Sequence, residues 1–179
     1  MIAVIHAHPY PSRSRAGAAL LRALEGLPDL AVRSLYRLYP DFDIDADAER
    51  RAVEGASLLV FTHPIYWYTT PALLKHWFDQ VLVRGWAYGD GGTALHGKAC
   101  LWAPTTGGDE AAYSASGRHA RPFAAFVPVV EQTARYCGMR WLEPFVLYGA
   151  HRMDERSLES AGQALRMRIE AHMAEYLHA

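Results

Sequence analysis

The segment Phe61-Thr62-His63-Pro64-Ile65-Tyr66-Trp67-Tyr68-Thr69-Thr70-Pro71 decides the fold. It continues Ser57-Leu58-Leu59-Val60, a short apolar run of the kind a fully buried parallel strand shows. It ends at Thr70-Pro71, an N-cap residue followed by the residue preorganised for the first helical position. Beyond it, Leu73, Leu74, Trp77, Phe78, Val81 and Leu82 recur at helical spacing. A buried strand, an aromatic turn and a capped helix therefore succeed one another. In an open α/β sheet, that junction outside a strand's carboxyl end is where ligands bind. Three aromatics in a row there suit a flat, conjugated ligand, although any one of them serves equally well as covering surface.

Outward from this stretch, the pattern alternates. Met1 to Ala7 reads as a first, central strand, broken by His8-Pro9-Tyr10-Pro11-Ser12-Arg13-Ser14-Arg15 and followed by a helix with Leu20, Leu21 and Leu24. Gly26-Leu27-Pro28-Asp29 closes that helix, and Ala31 to Leu38 alternates as a more exposed second strand. Pro40 to Asp47 reads as an acidic loop, Ala48 to Gly55 as a short helix, and Arg84 to Gly92 as a glycine-rich loop. Lys98 to Ala103 is a fourth strand running into Pro104-Thr105-Thr106-Gly107-Gly108-Asp109. A helix from about Pro122 to Tyr136 follows, kinked or divided near Pro128 and stopped at Cys137-Gly138. Met139 to Tyr148 supplies the last strand, and Leu158, Ala161, Leu165, Ile169 and Met173 mark a final amphipathic helix. Strands alternating with helices call for a parallel sheet covered on both faces, here one domain over residues 1–179.

Half of the 179 residues are hydrophobic and the formal net charge is −1, which leaves no electrostatic footprint for nucleic acid. No apolar run approaches a membrane span, and the N-terminus lacks the flank and cleavage site of a signal peptide. Cys100 and Cys137 match no metal spacing and read as small buried hydrophobes, in keeping with a reducing cytoplasm. His6 and His8 lack a third ligand, so no metal centre is expected. A G-x-G-x-x-G after the first strand, a Walker A sequence and a G-x-S-x-G elbow are all absent.

Three loops leave the carboxyl ends of strands one, three and four and converge on this topology. In the first, backbone amides, the helix dipole, Ser12 and Ser14 favour an anion, with Arg13 and Arg15 nearby; Ser12 or Ser14 equally serves as a simple N-cap. In the third, Thr105-Thr106-Gly107-Gly108 brings two hydroxyls and two unobstructed amides that can approach a ring edge and stabilise negative charge there. An ordinary turn has the same composition.

The run Pro64 to Asp79, together with Thr105-Thr106-Gly107-Gly108 and Gly138-Met139-Arg140-Trp141-Leu142-Glu143-Pro144, resembles the NAD(P)H:quinone oxidoreductase flavoproteins. Ala7-His8-Pro9-Tyr10-Pro11 and Gly85-Trp86-Ala87-Tyr88-Gly89-Asp90-Gly91-Gly92 narrow the resemblance to the ancillary quinone reductases of glutathione-gated potassium-efflux systems. The resemblance implies a flavodoxin-like, doubly wound five-stranded parallel sheet of order 2-1-3-4-5. It implies FMN, with FAD as the alternative, and NAD(P)H as co-substrate. His8, Ser14, Arg15, Ala16 and Gly17 would hold the flavin phosphate and ribityl chain, Gly17 standing where relatives often have asparagine. Pro64, Ile65, Tyr66 and Trp67 would lie along the isoalloxazine, and Thr105, Thr106, Gly107 and Gly108 would face its pyrimidine side. Tyr113 and His119 have the spacing of a pair that assists charge transfer; a surface tyrosine and a solvated histidine are the plainer reading. Trp86 and Tyr88 would reach the partner's pocket in a homodimer.

The implied activity is hydride transfer from NAD(P)H to flavin N5, then two-electron reduction of a quinone. A regulatory subunit of a potassium–proton antiporter, peripheral at the inner face of the membrane, and a flavodoxin-type electron carrier are the competing readings.

Overall fold

Strand β1 (Ile2–His6) is buried along its whole length in the computed structural model, which describes residues 1–177. In chain order it is followed by α1 (Arg15–Leu24), β2 (Leu30–Ser34), α2 (Leu35–Leu38), α3 (Ala46–Glu54), β3 (Leu58–Pro64) and α4 (Ala72–Val81). Then come β4 (Ala99–Thr105), α5 (Pro128–Tyr136), β5 (Arg140–Trp141) and α6 (Glu155–Leu177). The strands form one all-parallel sheet of order β2-β1-β3-β4-β5. The chain turns outward from β1 to β2, then returns to the other side of β1 for β3. The crevice between the carboxyl ends of β1 and β3 is therefore the switch point of the sheet.

Successive side chains point to opposite faces, and the core divides accordingly. Ile2, Val4, Leu58, Val60 and Leu101 pack with Leu20 and Leu24 of α1 and Leu158, Leu165 and Ile169 of α6. Ala3, Ile5, Leu59, Phe61 and Trp102 pack with Val53, Leu73, Leu74, Trp77 and Val130 from α3, α4 and α5. Glu49, fully buried on α3, ties this second layer together. Its carboxylate accepts from Arg33 Nε at 2.9 Å, the Tyr39 hydroxyl at 2.7 Å and the Trp77 indole N–H at 2.8 Å. Every side of the buried charge thus meets a donor, the condition for its tolerance.

The structure departs from the expected boundaries at several points. The second strand stops at Ser34, and Leu35–Leu38 turns into one helical turn that lifts the Tyr36 hydroxyl to accept from Leu73 N at 3.2 Å. That bond stands in for a missing side-chain cap, because Pro71, not Thr70, occupies the N-cap of α4. Asp45 caps α3 through Ala48 N, so that helix begins at Ala46. The helix expected from Pro122 is two pieces, a 3₁₀ turn at Phe123–Ala125 and α5, which begins at Pro128. The last strand is regular for only two residues, since Pro144 has no N–H for the ladder. Phe145 and Leu147 still donate to Trp102 and Pro104 carbonyls.

Candidate functional site

The loop after β1 is anchored by Ala7 N, which donates to the Thr62 carbonyl at 3.0 Å. Ser14 then caps α1, its Oγ accepting from Gly17 N at 3.2 Å. The amides of Arg15 and Ala16 open the helix ahead of its first internal bond, a partial positive charge facing the cleft. His8 Nδ1 accepts from Tyr10 N, and burial lowers the pKa of its imidazole. The glycine at 17 has a steric cause. A Cβ there would lie 2.4 Å from Ser14 Oγ and 2.8 Å from Cε1 of His6, whose ring fills the space a side chain would need. Burial, with the neighbouring His8, His63 and Arg37 adding to it, lowers the pKa of His6 to about 4. Its Nδ1 and the Thr62 hydroxyl are buried polar atoms with no partner among the described residues.

After β3, Ile65 N donates to the Thr105 carbonyl at 2.8 Å, joining the second loop to the third. Tyr66 and Thr69 exchange both backbone bonds at 3.1 Å, closing a two-residue turn over Trp67 and Tyr68. Both tip residues have positive φ, 49° and 66°, as a type I′ turn requires, yet neither is glycine. The turn projects the Trp67 indole, 91% exposed, clear of the chain.

After β4, Thr106 Oγ bonds the Gly108 carbonyl at 2.7 Å and Thr106 N donates to the Leu147 carbonyl. Gly149 N also donates to the Gly108 carbonyl, at 2.8 Å. Among the described residues the amides of Gly107 and Gly108 donate to no backbone carbonyl, so two N–H groups remain for a ligand. A Cβ on Gly108 would stand 3.1 Å from His119 Nε2 and 3.3 Å from Tyr113 Cε2. Tyr113 and His119 pack with ring centroids 4.4 Å apart. Burial raises the pKa of the Tyr113 phenol, against a smaller opposing effect of its bond to Thr106. Tyr68 meets His119 edge-on at 5.5 Å and stacks on Phe126 at 5.2 Å.

Ten of the sequence-derived cofactor residues line one cleft of about 480 Å³: His8, Ser14, Arg15, Ala16, Pro64, Ile65, Tyr66, Thr105, Thr106 and Gly107. Gly17 lies behind it, under Ser14 and over His6. Gly108 and His119 line the adjoining cleft, Tyr113 packs against them, and Trp67 stands out at the rim. Trp86 and Tyr88 are elsewhere: Arg50 covers the Trp86 ring, and Tyr88 packs on Tyr136 in an apolar groove of about 650 Å³ between α4 and α5. Sequence reasoning missed Ala150 and His151 of the first cleft and the contacts of Tyr68 with His119 and with Phe126. Tyr68 stood in a visible aromatic run, whereas His151 follows a degenerate last strand that carries no periodic signal.

A flavin fits these residues. The cleft lies within the volume range of small-molecule sites, has a helix N-terminus at one end, and holds two unengaged amides on a wall with no Cβ. The profile of the flavodoxin-like fold family matches residues 1–171. The chain belongs to that family. It is also 47% identical, over 169 residues, to the glutathione-regulated potassium-efflux system ancillary protein KefF of Salmonella typhi, covering 94% of this chain and 95% of that protein. General stress protein 14 of Treponema denticola, solved in complex with FMN, superposes with TM-score 0.88 and 34% identity over 95% of this chain and 98% of its own. An NADPH-quinone reductase from P. pentosaceus shares the fold, with TM-score 0.85 and 23% identity over 94% of this chain and 96% of that one. Among the described residues, no helix is long and apolar enough to cross a membrane.

Proposed function

We propose that this chain is a flavin-dependent NAD(P)H:quinone oxidoreductase, using FMN and acting as a homodimer. The observation that carries the reading is the wall of Gly107 and Gly108, two free amides with the Tyr113–His119 pair packed against them. A bound flavin would supply the redox chemistry, hydride uptake from NAD(P)H and two-electron delivery to a quinone. The protein's part is to bind, orient and neutralise. Arg15 and Ala16 amides, with the α1 dipole, would hold the flavin phosphate. The amides of Gly107 and Gly108 would hold the ring edge and stabilise negative charge that develops there. His119, reaching Gly108 with Nε2, gives or takes a proton as that charge appears, and Tyr113 fixes its ring from the other side. Tyr68 and Trp67 exclude water from the outer face.

FMN is favoured over FAD by the likeness to general stress protein 14 of Treponema denticola, which was solved in complex with FMN. The homodimer reading rests on the apolar groove between α4 and α5, where Val129 and Tyr136 are 58% and 66% exposed. Such a patch calls for a partner. An absorbance spectrum of the purified protein, mass identification of the released cofactor and an NAD(P)H–benzoquinone assay test the reading directly. Trp67→Ala and Gly108→Val are expected to weaken flavin retention. His119→Ala is expected to keep the flavin and slow its bleaching in stopped flow. Full flavin occupancy in both of the first two variants would remove the site assignment.

The likeness to KefF supports a second role, as an ancillary protein docked on a potassium-efflux antiporter at the inner face of the membrane. Co-purification with such an antiporter separates it from a free enzyme, and the two roles are compatible.

A further inference from the structure

The loop that carries His119 also closes a second cleft, of about 800 Å³, of which the chemistry above uses only the edge formed by Gly107, Gly108 and His119. It shares Gly107 and His151 with the first cleft, so the two adjoin where the His151 imidazole stands over Gly107; a Cβ there would be 2.4 Å from Nε2. Its lining is basic. Arg118 and Arg152 face it together with the imidazoles of His119 and His151, against the single carboxylate of Asp109. That carboxylate is already engaged. Oδ1 accepts from Ala112 N at 3.0 Å and Oδ2 meets Arg152 at 2.6 Å. Arg118 forms no salt bridge among the described residues, so its guanidinium remains for a ligand.

The loop that presents Arg118 is preformed. Gly117 N donates to the Ser114 carbonyl, His119 N to Ala112 and Ala120 N to Gly117, at 3.1, 3.0 and 2.9 Å. A Cβ on Gly117 would strike the Ala111 carbonyl oxygen at 2.2 Å, so the turn is tight enough to exclude any side chain.

We propose that this cleft binds the ADP half of the nicotinamide dinucleotide while the nicotinamide lies in the first cleft. The inference rests on the NAD(P)H-oxidising reading above and names the recognition element that reading lacks. A guanidinium with free donors forks phosphate oxygens in two parallel bonds, and imidazole and guanidinium planes stack on a purine. The volume fits such a fragment, and the shared Gly107–His151 border places it beside the reacting ring. FAD carries the same ADP chemistry, so the test must separate the two sources.

FMN-loaded protein is titrated calorimetrically with ADP-ribose and with 2′-phospho-ADP-ribose, neither of which can donate a hydride. The wild type is expected to bind, and Arg118→Ala to raise Kd by roughly tenfold or more, with Arg118→Lys intermediate and FMN affinity unchanged. Unchanged ADP-ribose affinity in Arg118→Ala, or no binding to the wild type, overturns the proposal. In a second arm, apo-protein is titrated with FMN and FAD. Tighter binding of FAD that disappears in Arg118→Ala assigns the cleft to the flavin's own ADP and also overturns it. The two readings fail separately. NADPH bleaching of FMN without an Arg118 effect on ADP-ribose sinks only the cleft. Arg118-dependent ADP-ribose binding without bleaching supports the cleft and sinks the oxidoreductase reading.

Discussion

Trp102 donates its indole N–H to Nε2 of His63 at 2.7 Å, deep between β3 and β4. The indole has no acceptor lone pair to offer, so Nε2 must be the unprotonated nitrogen. Nδ1 then carries the hydrogen and donates it to the Pro64 carbonyl at 2.9 Å. One tautomer is thereby set, and the first residue of the aromatic turn is held from the neighbouring strand. Trp102→Phe keeps an aromatic ring but leaves a buried imidazole nitrogen unpaired. It is expected to cost about 1–3 kcal/mol in urea unfolding and to loosen flavin binding. Wild-type stability with unchanged ¹⁵N shifts of His63 would show the bond to be idle.

Burial lowers the pKa of both His6 and His63 to about 4. An unfolded imidazole takes its proton near pH 6.5. Between those values the unfolded chain binds more protons than the folded one, so stability falls as pH drops from about 6.5 toward 4 and is flat above. Each histidine contributes up to about 1.4 kcal/mol per pH unit in that window. Urea midpoints at pH 7, 6 and 5 measure the slope, and His6→Gln is expected to reduce it.

Glu49 accepts from Arg33, Tyr39 and Trp77 with no exposure to solvent. Glu49→Ala strands a guanidinium, a phenol and an indole N–H at once, and is expected to destabilise by about 3–5 kcal/mol. Because the network lies beneath α3 and α4, away from the cleft, the folded fraction should still take up flavin. Denaturation midpoints with and without FMN check both parts.

Two glycines of one region are expected to behave differently. A Cβ on Gly107 meets only the end of the His151 side chain, which can swing away, whereas one on Gly117 meets backbone oxygens that cannot. Gly107→Ala should fold normally, while Gly117→Ala should disorder the Ser114–Ala120 loop and slow flavin reduction. Thermal melts and limited proteolysis distinguish them.

Trp67 and Tyr68 hold left-handed backbone that costs a non-glycine residue about 1–2 kcal/mol. Set against glycine's own entropy loss, Trp67→Gly should raise stability by up to about 1 kcal/mol while flavin retention falls. A destabilised variant would mean that the exposed indole packs on something in the native state.

Strand membership was legible because it is a local property. The apolar runs Ile2–Ile5, Leu58–Phe61 and Ala99–Ala103 can be buried on both faces only as central strands, and that much determines a parallel doubly wound sheet. The loops after strands one, three and four were legible for the same reason, with Ser14, Tyr66 and the Gly107–Gly108 pair in them. What the tertiary structure alone decided is how groups distant in the chain meet. The exclusion of a side chain at 17 by the His6 ring, the gathering of Tyr68, His119 and Tyr113, and the basic cleft between Arg118 and Arg152 all depend on strand register and loop height. Those are set by long-range packing and leave no period in the sequence.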